Sequence, residues 1–505
     1  MGLYDFTLYD VIVRNSRVYA NRPAWFEPDR PDALTFSQIR QLVDGLAARL
    51  QQAKCKRGDR IGVVGKNCLE FFLLYGAAAA LGAIVLPVNW RLSVDEAVYV
   101  LNDGSPRLVF SDDDNLEWTR EIRNRLPDTV RFFNLRPHRG PFEEIGDLAE
   151  AAEGFISPEV RAEDGFVIIH TAAVGGHPRG ALLSQNNLLC CHLQMMHGLA
   201  LTGDDVHLNV LPLFHVAGLF TVFCAFHAGC LNINVPRFDP VQAVELITNK
   251  KVSLMFTFAP ILKSILEQQA EEEADIGSLR AVLGLEAPDT ITRYQQISGG
   301  TFYTMFGQTE TSMLATFGAY NDCPGAAGTP IAMATVALLN DADRPVAQTE
   351  IGEIAIRGPM VFKGYWRLDE DNAKTFRNGW HHTGDLGRMD ENGYLWYEGR
   401  KADKELIKPG GENVYPAEVE QVILEHPAVE AVVVFGVPDP KWKEGIKAVC
   451  ALKSGQTLES TELIEFVGSR IARYKKPQYV EFVDALPKRS DGDVDRGKVK
   501  EMYGA

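Results

Sequence analysis

Hydrophobic positions in the first part of the chain alternate between helical spacing and short unbroken runs. Apolar residues recur with helical spacing from Phe36 to Leu50, which predicts an amphipathic helix. An apolar strand at 61–64, a helix at 69–81 and a buried strand at 83–86 follow. Helices that alternate with strands imply parallel strands joined by crossover helices. The pattern therefore predicts an α/β fold.

The same alternation continues through the middle of the chain. Short apolar runs predict strands at 166–169, 206–211 and 252–256. Helical spacing predicts one helix after Ser184, which is a suitable N-cap, and another near 261–268. The parallel arrangement is thus expected to extend over most of the first 325 residues.

Between about 325 and 400 the apolar runs become shorter and are broken by Gly, Pro, Asp and Asn, which is typical of hairpins in a more antiparallel, β-rich unit. The charged stretch 400–408 is the expected linker. We predict a large N-terminal domain (1–399) of parallel-sheet α/β subdomains plus this β-rich unit, and a small α+β C-terminal domain (400–505). The elements predicted after the linker are a helix at 417–424, a strand at 429–435, a helix at 461–472 and a strand at 479–483.

Composition narrows the classes of partner. The 505 residues include 51 basic and 67 acidic side chains, so the net charge of -16 opposes binding to nucleic acid or anionic lipid. The eight cysteines lack metal-ligand spacing, which indicates reduced thiols. The N-terminus carries no signal-type apolar block, and no window reaches the roughly 20 apolar residues of a membrane span. We expect a cytoplasmic protein without a membrane span.

A glycine-rich turn follows the strand predicted at 166–169. The segment FVIIHTAAVGGHPRGALLSQNNL (166–188) runs from a strand through this turn, with one cation, into a helix. Such a layout directs backbone N–H groups toward an anion and suits a triphosphate. An ordinary strand-to-helix loop would also use glycines, so this segment alone leaves both interpretations open.

Four further segments occur in a characteristic order: LPLFHVAGL (211–219), MFGQTETS (305–312), HHTGDLG (381–387) and YEGRKADKELIKPGGENVYPAEVE (397–420). Together with the glycine-rich turn, they resemble the motifs of the adenylate-forming superfamily, and within it the AMP-forming acyl-CoA synthetases of the fatty-acyl and aryl-CoA ligase branch. The matches spread over nearly the whole chain. Five matches in the right order make coincidence improbable.

The resemblance implies a two-step reaction with ATP, Mg²⁺ and coenzyme A. A carboxylic acid, fatty or aromatic, would attack the α-phosphorus of ATP to give acyl-AMP and pyrophosphate, and the CoA thiol would then displace AMP. Two anions must meet in the first step, so catalysis depends on charge neutralisation and positioning. The chain is accordingly expected to be an acid–thiol ligase.

The resemblance also assigns roles by position. Glu310 would hold Mg²⁺, Asp385 would accept hydrogen bonds from the ribose hydroxyls, and Arg400 would contact ribose or phosphate. For these residues a solvated loop acid, an Asx-turn residue and a linker ion pair are the respective alternatives. Phe306 would stack near adenine and His215 would line the passage for the acyl group and the thiol, with core packing as the alternative for both.

The remaining assignments concern phosphate, nucleotide and thiol binding. The small C-terminal domain of the family rotates between the two half-reactions, and here Ala402 and Asp403 are the candidate hinge positions. The predicted binding residues are Thr171, Gly175, Gly176 and Arg179 for phosphate, Thr309 for the nucleotide, and Gly410 and Gly411 on the thiol side.

The sequence departs from the family pattern in three places. Residues 172–175 lack most of the usual hydroxyl donors, and Arg179 replaces a lysine. The usual adenine-side GGAP reads Leu-Glu-Ala-Pro at 285–288. The catalytic lysine has two principal alignments: one places Asp493 at its position, and one with an insertion makes Lys498 the catalytic residue. Lys488 and Lys500 are further alternatives.

Two other functions stay open at this point. The chain could be an adenylating enzyme that delivers the acyl group to a carrier protein, although it carries no carrier domain. It could also be a non-catalytic or adenylation-impaired module that binds nucleotide or acyl ligand on the same scaffold. The sequence does not identify the acid and leaves the oligomeric state open, a homodimer included.

Overall fold

The computed structural model describes the chain apart from residues 1–4, 115, 154, 172–177, 348, 402–405, 413, 441, 490–493 and 505. The chain divides into two compact units. The first comprises Met1–Trp90, Leu101–Ile169 and Gly180–Gly399, and the second comprises Arg91–Val100, His170–Arg179 and Arg400–Ala505.

The elements are numbered in chain order. The helices are α1 Leu8–Val18, α2 Phe36–Gln52, α3 Leu69–Leu81, α4 Val94–Gly104, α5 Leu116–Asn124, α6 Leu148–Ala151, α7 Gln185–Gly198, α8 Val216–Ala228, α9 Pro240–Lys250, α10 Ile261–Glu272, α11 Pro288–Ser298, α12 Asp369–Thr375, α13 Pro416–Leu424, α14 Ser460–Gly468 and α15 Arg496–Tyr503. The strands are β1 Pro23–Phe26, β2 Leu34–Thr35, β3 Arg60–Val64, β4 Ile84–Val88, β5 Leu108–Ser111, β6 Arg131–Asn134, β7 Gly165–Thr171, β8 Arg179–Ser184, β9 Val206–Asn209, β10 Leu231–Asn234, β11 Leu254–Phe258, β12 Ala281–Leu285, β13 Thr301–Phe306, β14 Thr316–Ala319, β15 Thr329–Pro330, β16 Thr335–Leu339, β17 Gly352–Arg357, β18 Gly364–Tyr365, β19 Phe376–Arg377, β20 Trp380–Met389, β21 Leu395–Arg400, β22 Val429–Asp439, β23 Lys443–Leu452 and β24 Tyr479–Val483.

The largest sheet positions much of the candidate site. In the described part of the chain it contains nine strands in the order β15-β14-β13-β12-β11-β9-β10-β1-β2, and we call it the large sheet. Strands β9 to β13 and β1 run parallel within it. The carboxyl ends of parallel strands meet at one edge, so the loops after Phe258, Leu285 and Phe306 lie side by side. Ligands of open α/β sheets bind in crevices at this edge.

The predicted helices of the first unit form for the predicted reasons. In α2 the residues Phe36, Ile39, Val43 and Leu50 are fully buried. Ser184 caps α7, because its side chain accepts a hydrogen bond from the N–H of Asn187 at 3.2 Å. Helix α3 is apolar apart from Glu70, and its other residues from Leu69 to Leu81 are buried.

The first unit also contains a second, largely parallel sheet and an antiparallel sheet, which correspond to the predicted α/β and β-rich parts. Among the described residues, the order of the second sheet is β18-β8-β7-β4-β3-β5-β6, and its strands β3 to β6 are parallel. Strands β16, β17, β19 and β20 pair in antiparallel fashion, as the short apolar runs after residue 325 predicted. The predicted α/β class with a β-rich unit and a small C-terminal α+β segment is therefore confirmed.

The second unit has its own hydrophobic core, which includes the fully buried Val419, Ile446 and Leu463. Strand β24 matches its predicted bounds, but the helix predicted at 461–472 ends at Gly468 as α14. The apolar pattern continues past the glycine into a separate single turn at Arg473–Lys475. The strand β23 was not predicted from the sequence.

A buried ion-pair cluster lies within the second unit. Lys475 is 3% exposed, and its Nζ lies 2.5 Å from Glu418 Oε2 and 2.6 Å from Glu96 Oε1. Burial opposes the charge, but the Glu418 carboxylate and its neighbours raise the pKa of Lys475 above its ordinary value. Glu96 also accepts the N–H of Ala472 at 3.0 Å.

None of the helices in the described ranges has the length and apolar character that crossing a bilayer requires.

Candidate active site

The turn that carries Asp385 is a bulge in β20. Glu353 of β17 pairs with Leu386, and Ala355 pairs with His382, so a single residue of β17 lies opposite residues 383–385 of β20. Gly384 occupies the left-handed region at φ 72, where glycine is favoured. Asp385 is only 1% exposed.

Hydrogen bonds inside the bulge replace the missing strand pairing. The hydroxyl of Thr383 donates to the carbonyl of Ile354 at 2.6 Å and accepts the N–H of Asp385 at 3.1 Å. The N–H of Gly384 donates to Glu353 Oε1 at 2.9 Å. The bulge is therefore held by hydrogen bonds of the Thr383 and Glu353 side chains.

Glu310 lies in the single turn Thr309–Thr311 that follows β13, and it is 8% exposed. The hydroxyl of Tyr365 donates to Glu310 Oε1 at 2.9 Å, and the N–H of Phe362 donates to the Glu310 carbonyl at 2.9 Å. Burial and these two bonds exclude the alternative of a solvated loop acid. Thr309 begins the same turn and is also 8% exposed.

Gln308 connects these two acidic residues. Its amide nitrogen donates to the Asp385 carboxylate and to the Thr383 carbonyl, the latter at 3.2 Å. Its amide oxygen lies 3.4 Å from His381 Nε2. The structure thus brings the segments around residues 308 and 385 into direct contact, although 77 positions separate them.

The predicted aromatic residue Phe306 ends β13 and is 7% exposed. Its ring lies 6.3 Å from that of Tyr397 with an interplanar angle of 29°. The hydroxyl of Tyr397 donates to Asp385 Oδ1 at 3.3 Å. Tyr397 is 46% exposed, so an aromatic face and the acidic bulge adjoin at an accessible position.

His215 serves as the N-cap of α8. Its Nδ1 accepts the N–H of Ala217 at 3.2 Å, and its ring lies edge-on to Phe258 with centroids 6.4 Å apart. Phe258 and Leu285 are directly paired at the ends of β11 and β12, so their side chains share one face of the large sheet. Leu285 is 45% exposed there.

The other predicted residues lie in the second unit or outside the described residues. The hydroxyl of Thr171 donates to the Arg179 carbonyl at 3.4 Å. Arg400 is the last residue of β21. Gly410 and Gly411 belong to the turn Pro409–Gly411, where a Cβ added to Gly410 would lie 2.8 Å from the Trp442 ring. Gly175, Gly176, Ala172, Ala173, the hinge candidates Ala402 and Asp403, and Asp493 lie outside the described residues.

Lys498 lies in the first turn of α15. Its side chain is exposed, and its N–H donates to the Asp495 carboxylate at 3.0 Å. The neighbouring Val499 is fully buried, and Arg496 pairs with Glu420 at 2.5 Å. The helix therefore directs Lys498 away from the core of the second unit, and its catalytic role stays a prediction.

Four site residues were missed by the sequence analysis. Gln308 lies inside the recognised segment 305–312, so its place beside Glu310 could have predicted a role in the site. Tyr397 likewise begins the recognised segment 397–420, whereas Glu353 and Tyr365 contact the site only through tertiary folding. Spacing along the chain offers no signal for such contacts.

Comparisons with known proteins agree with this geometry. A family model described as AMP-binding enzyme matches residues 12–366, and one described as AMP-binding enzyme C-terminal domain matches residues 418–492. An indoleacetate–CoA ligase of Aromatoleum aromaticum is 31% identical over 98% of both chains. A feruloyl-CoA synthase of an Amycolatopsis species is 32% identical over 94% of both chains.

A solved structure resembles the chain over nearly its whole length. It is an o-succinylbenzoate CoA synthetase of Bacillus subtilis bound with a product analogue. The TM-score is 0.85 with 25% sequence identity, and the match covers 98% of this chain and 99% of that chain.

Proposed function

The chain belongs to the AMP-binding enzyme family, and we propose that it activates a carboxylic acid with ATP and transfers the acyl group to CoA. The predicted family and the predicted enzyme class, an AMP-forming acid–thiol ligase, are confirmed by the matches to CoA ligases. The finer assignments below concern which residues act and on which acid.

One observation supports the nucleotide site above all others. Asp385 and the turn of Glu310 are joined through Gln308, so the carboxylates proposed to bind ribose and Mg²⁺ lie on adjoining segments. In the proposed complex the ribose hydroxyls donate to Asp385, and adenine lies near the Phe306 and Tyr397 rings. A nucleotide bound in this way would direct its phosphates toward Glu310.

Glu310 fits a hard divalent cation. Mg²⁺ prefers carboxylate oxygen and is commonly bound by one or two protein carboxylates together with substrate phosphates. The Tyr365 hydroxyl holds Glu310 Oε1 at 2.9 Å, which fixes the orientation of the carboxylate. A bound Mg²⁺ would neutralise charge on the triphosphate, and Glu310 would hold it.

The chemistry then follows from positioning. The substrate carboxylate oxygen attacks the α-phosphorus, the bond from that phosphorus to the bridging oxygen breaks, and pyrophosphate leaves. The CoA thiol next attacks the acyl carbon, loses its proton, and AMP departs. Backbone amides and the cation of Arg179 are proposed to stabilise the leaving pyrophosphate. The further proposed binding residues are Thr171, Gly175, Gly176, Thr309, Arg400, Gly410 and Gly411, with Lys498 as the candidate catalytic cation.

The acyl group is proposed to lie against an apolar wall at the edge of the large sheet. The neighbouring Phe258 and Leu285 share one face, and the edge-on ring of His215 adjoins Phe258. The relatives are named for indoleacetate, ferulate, 2-succinylbenzoate and long-chain fatty acids. These acids form the first substrate panel.

The test combines two assays on the intact protein. Purified protein with Mg²⁺, ATP and each acid should exchange pyrophosphate into ATP, and added CoA should give acyl-CoA and AMP. Glu310→Gln should lower the exchange rate by at least about 100-fold, because a neutral amide is a poor Mg²⁺ ligand. Glu27→Gln is the matched control, since Glu27 is a buried glutamate elsewhere that accepts from Asn234 at 2.9 Å.

The outcomes separate the alternatives. Acyl-AMP without thioester would indicate delivery to another acceptor, such as a carrier protein. Nucleotide binding without exchange across the whole panel would contradict the ligase assignment. Equal losses in the Glu310 and Glu27 variants would contradict the role given to Glu310.

The remaining parts of the proposal concern the cell and the assembly. All eight cysteines are free thiols, which suits a reducing, cytoplasmic location. The lid role of residues 400–505 and a homodimer stay predictions. Light scattering of the purified protein would test the homodimer.

A further inference from the structure

Glu353 is a buried carboxylate to which the family motifs used above give no role. It lies on β17, it is 3% exposed, and it reaches into the β20 bulge that carries Asp385. Its Oε1 accepts the N–H of Gly384 at 2.9 Å. Glu353 therefore touches the residue that precedes the predicted ribose ligand.

The bulge explains why this side chain is needed. Residues 383–385 lie opposite a single residue of β17, so the ladder cannot provide partners for every backbone group. The Ile354 carbonyl is taken by the Thr383 hydroxyl. A buried N–H without a partner is costly, and Glu353 supplies the acceptor for Gly384.

The positive charge of Arg377 compensates the Glu353 carboxylate. Its Oε2 lies 3.0 Å from His382 Nδ1 and 3.5 Å from Arg377 Nη2. Arg377 also donates to Asp343 at 2.9 Å, and this bond holds the pKa of the Asp343 carboxyl below its ordinary value. A buried carboxylate is tolerated where such partners are present. The network fixes Glu353 in one position.

On its Asp385 side, the bulge adjoins the residues of the proposed nucleotide site. Gln308 and Tyr397 both donate to the Asp385 carboxylate. The direction of that carboxylate thus depends on the bulge from one side and on these two donors from the other. Loss of the Glu353 contact would let the Gly384 peptide rotate, and Asp385 would move with it.

We propose that Glu353 is a positioning residue for nucleotide recognition, which holds the bulge so that Asp385 meets the ribose hydroxyls. This inference rests on the proposed function, because Asp385 binds ribose only if the chain is an AMP-forming ligase. Glu353 itself touches no substrate in this scheme.

The test measures the affinity of two nucleotides by calorimetry. ATP carries the ribose hydroxyls and 2′,3′-dideoxy-ATP lacks them. Glu353→Ala should raise the Kd of ATP about tenfold and leave the Kd of dideoxy-ATP unchanged. Glu353→Asp keeps the charge but cannot reach Gly384, so it should show the same selective loss. Glu353→Gln keeps an acceptor oxygen and should retain most of the ATP affinity.

A matched control and clear outcomes complete the design. Glu27→Ala removes another buried glutamate, 5% exposed and bound to Asn234 and Arg30, and should leave the preference for ATP intact. Equal weakening of both nucleotides by Glu353→Asp, or unchanged ATP binding, would overturn the inference. If Asp385→Ala abolishes the preference for ATP while the Glu353 variants keep it, only this inference fails. A wild-type protein that binds neither nucleotide contradicts the proposed function instead.

Discussion

Three buried histidines predict that the protein loses stability as the pH falls from 7 to 5. His192 is fully buried, and both its ring nitrogens lack partners among the described residues. His207 contacts Asn232 at 2.8 Å through Nδ1, and its Nε2 has no partner in the same set. Burial lowers the pKa of His207 and of His227 from 6.5 to about 4, and lowers that of His192 well below 6.5.

The sign follows from proton uptake. Between pH 6.5 and about 4 the unfolded chain protonates these rings, whereas the folded protein keeps His207 and His227 neutral. The unfolded state then binds more protons, so the free energy of unfolding falls as the pH falls. Each ring contributes about 1.4 kcal/mol per pH unit in this window, or about 2 kcal/mol between pH 6.5 and 5. His207 and His227 together lower the free energy of unfolding by about 4 kcal/mol over this range.

Urea denaturation at pH 7 and pH 5, followed by circular dichroism, measures this loss. His207→Gln cannot titrate and should reduce the difference between the two pH values by about 2 kcal/mol, and so should His227→Phe. The exposed His197, in the last turn of α7, provides the control, and His197→Gln should leave the difference unchanged. If His207→Gln and His227→Phe lose as much free energy of unfolding between pH 7 and pH 5 as the wild type does, the reasoning is refuted.

Two further predictions concern catalysis. Tyr365→Phe removes the hydroxyl that holds Glu310 and should raise the KM for Mg-ATP about tenfold in the exchange assay, with Mg²⁺-free ATP binding unchanged by calorimetry. Tyr75→Phe removes another buried tyrosine hydroxyl and should not change the KM; equal effects would contradict the role of Tyr365. Lys498→Ala should slow pyrophosphate exchange strongly, whereas Lys500→Ala on the same helix should not, and wild-type exchange in Lys498→Ala would exclude Lys498 as the catalytic cation.

Elements of the fold with a clear period were predictable from the sequence. The helix from Phe36 to Leu50 and the strand at 479–483 formed where apolar spacing placed them. The helix predicted at 461–472 was too long, because periodicity alone does not show that the segment after Gly468 forms a separate turn. The spacing of apolar residues thus predicts that a helix or strand is present better than it predicts the residue at which it ends.

The candidate site was predictable only where a residue lies inside a motif. Glu310 and Asp385 were assigned because they lie in segments that resemble family motifs, MFGQTETS (305–312) and HHTGDLG (381–387). The side chains that orient them come from distant segments: Tyr365 lies 55 positions from Glu310, and Glu353 lies 31 positions from Gly384. Such contacts depend on tertiary packing, which spacing along one chain does not encode.

The departure at 285–288 can be explained in physical terms. Helix α10 begins at Ile261 after a proline and has no capping side chain of its own. Glu286 Oε1 accepts the N–H of Leu262 in its first turn at 3.3 Å, so the acid that replaces a family glycine also stabilises the helix end. Leu285, the other replacement, adds apolar surface beside Phe258.

The two replacements therefore have different effects: Glu286 supports the start of α10, and Leu285 lies beside Phe258 in the wall proposed for the acyl group. The hydrogen bonds to the carboxylates of Asp385 and Glu310 include those from Gln308, Tyr397 and Tyr365. Leu285 adds an exposed apolar side chain to the wall proposed for the acyl group. This separation predicts that departures at 285–288 change which acid is accepted more than they change the affinity for ATP.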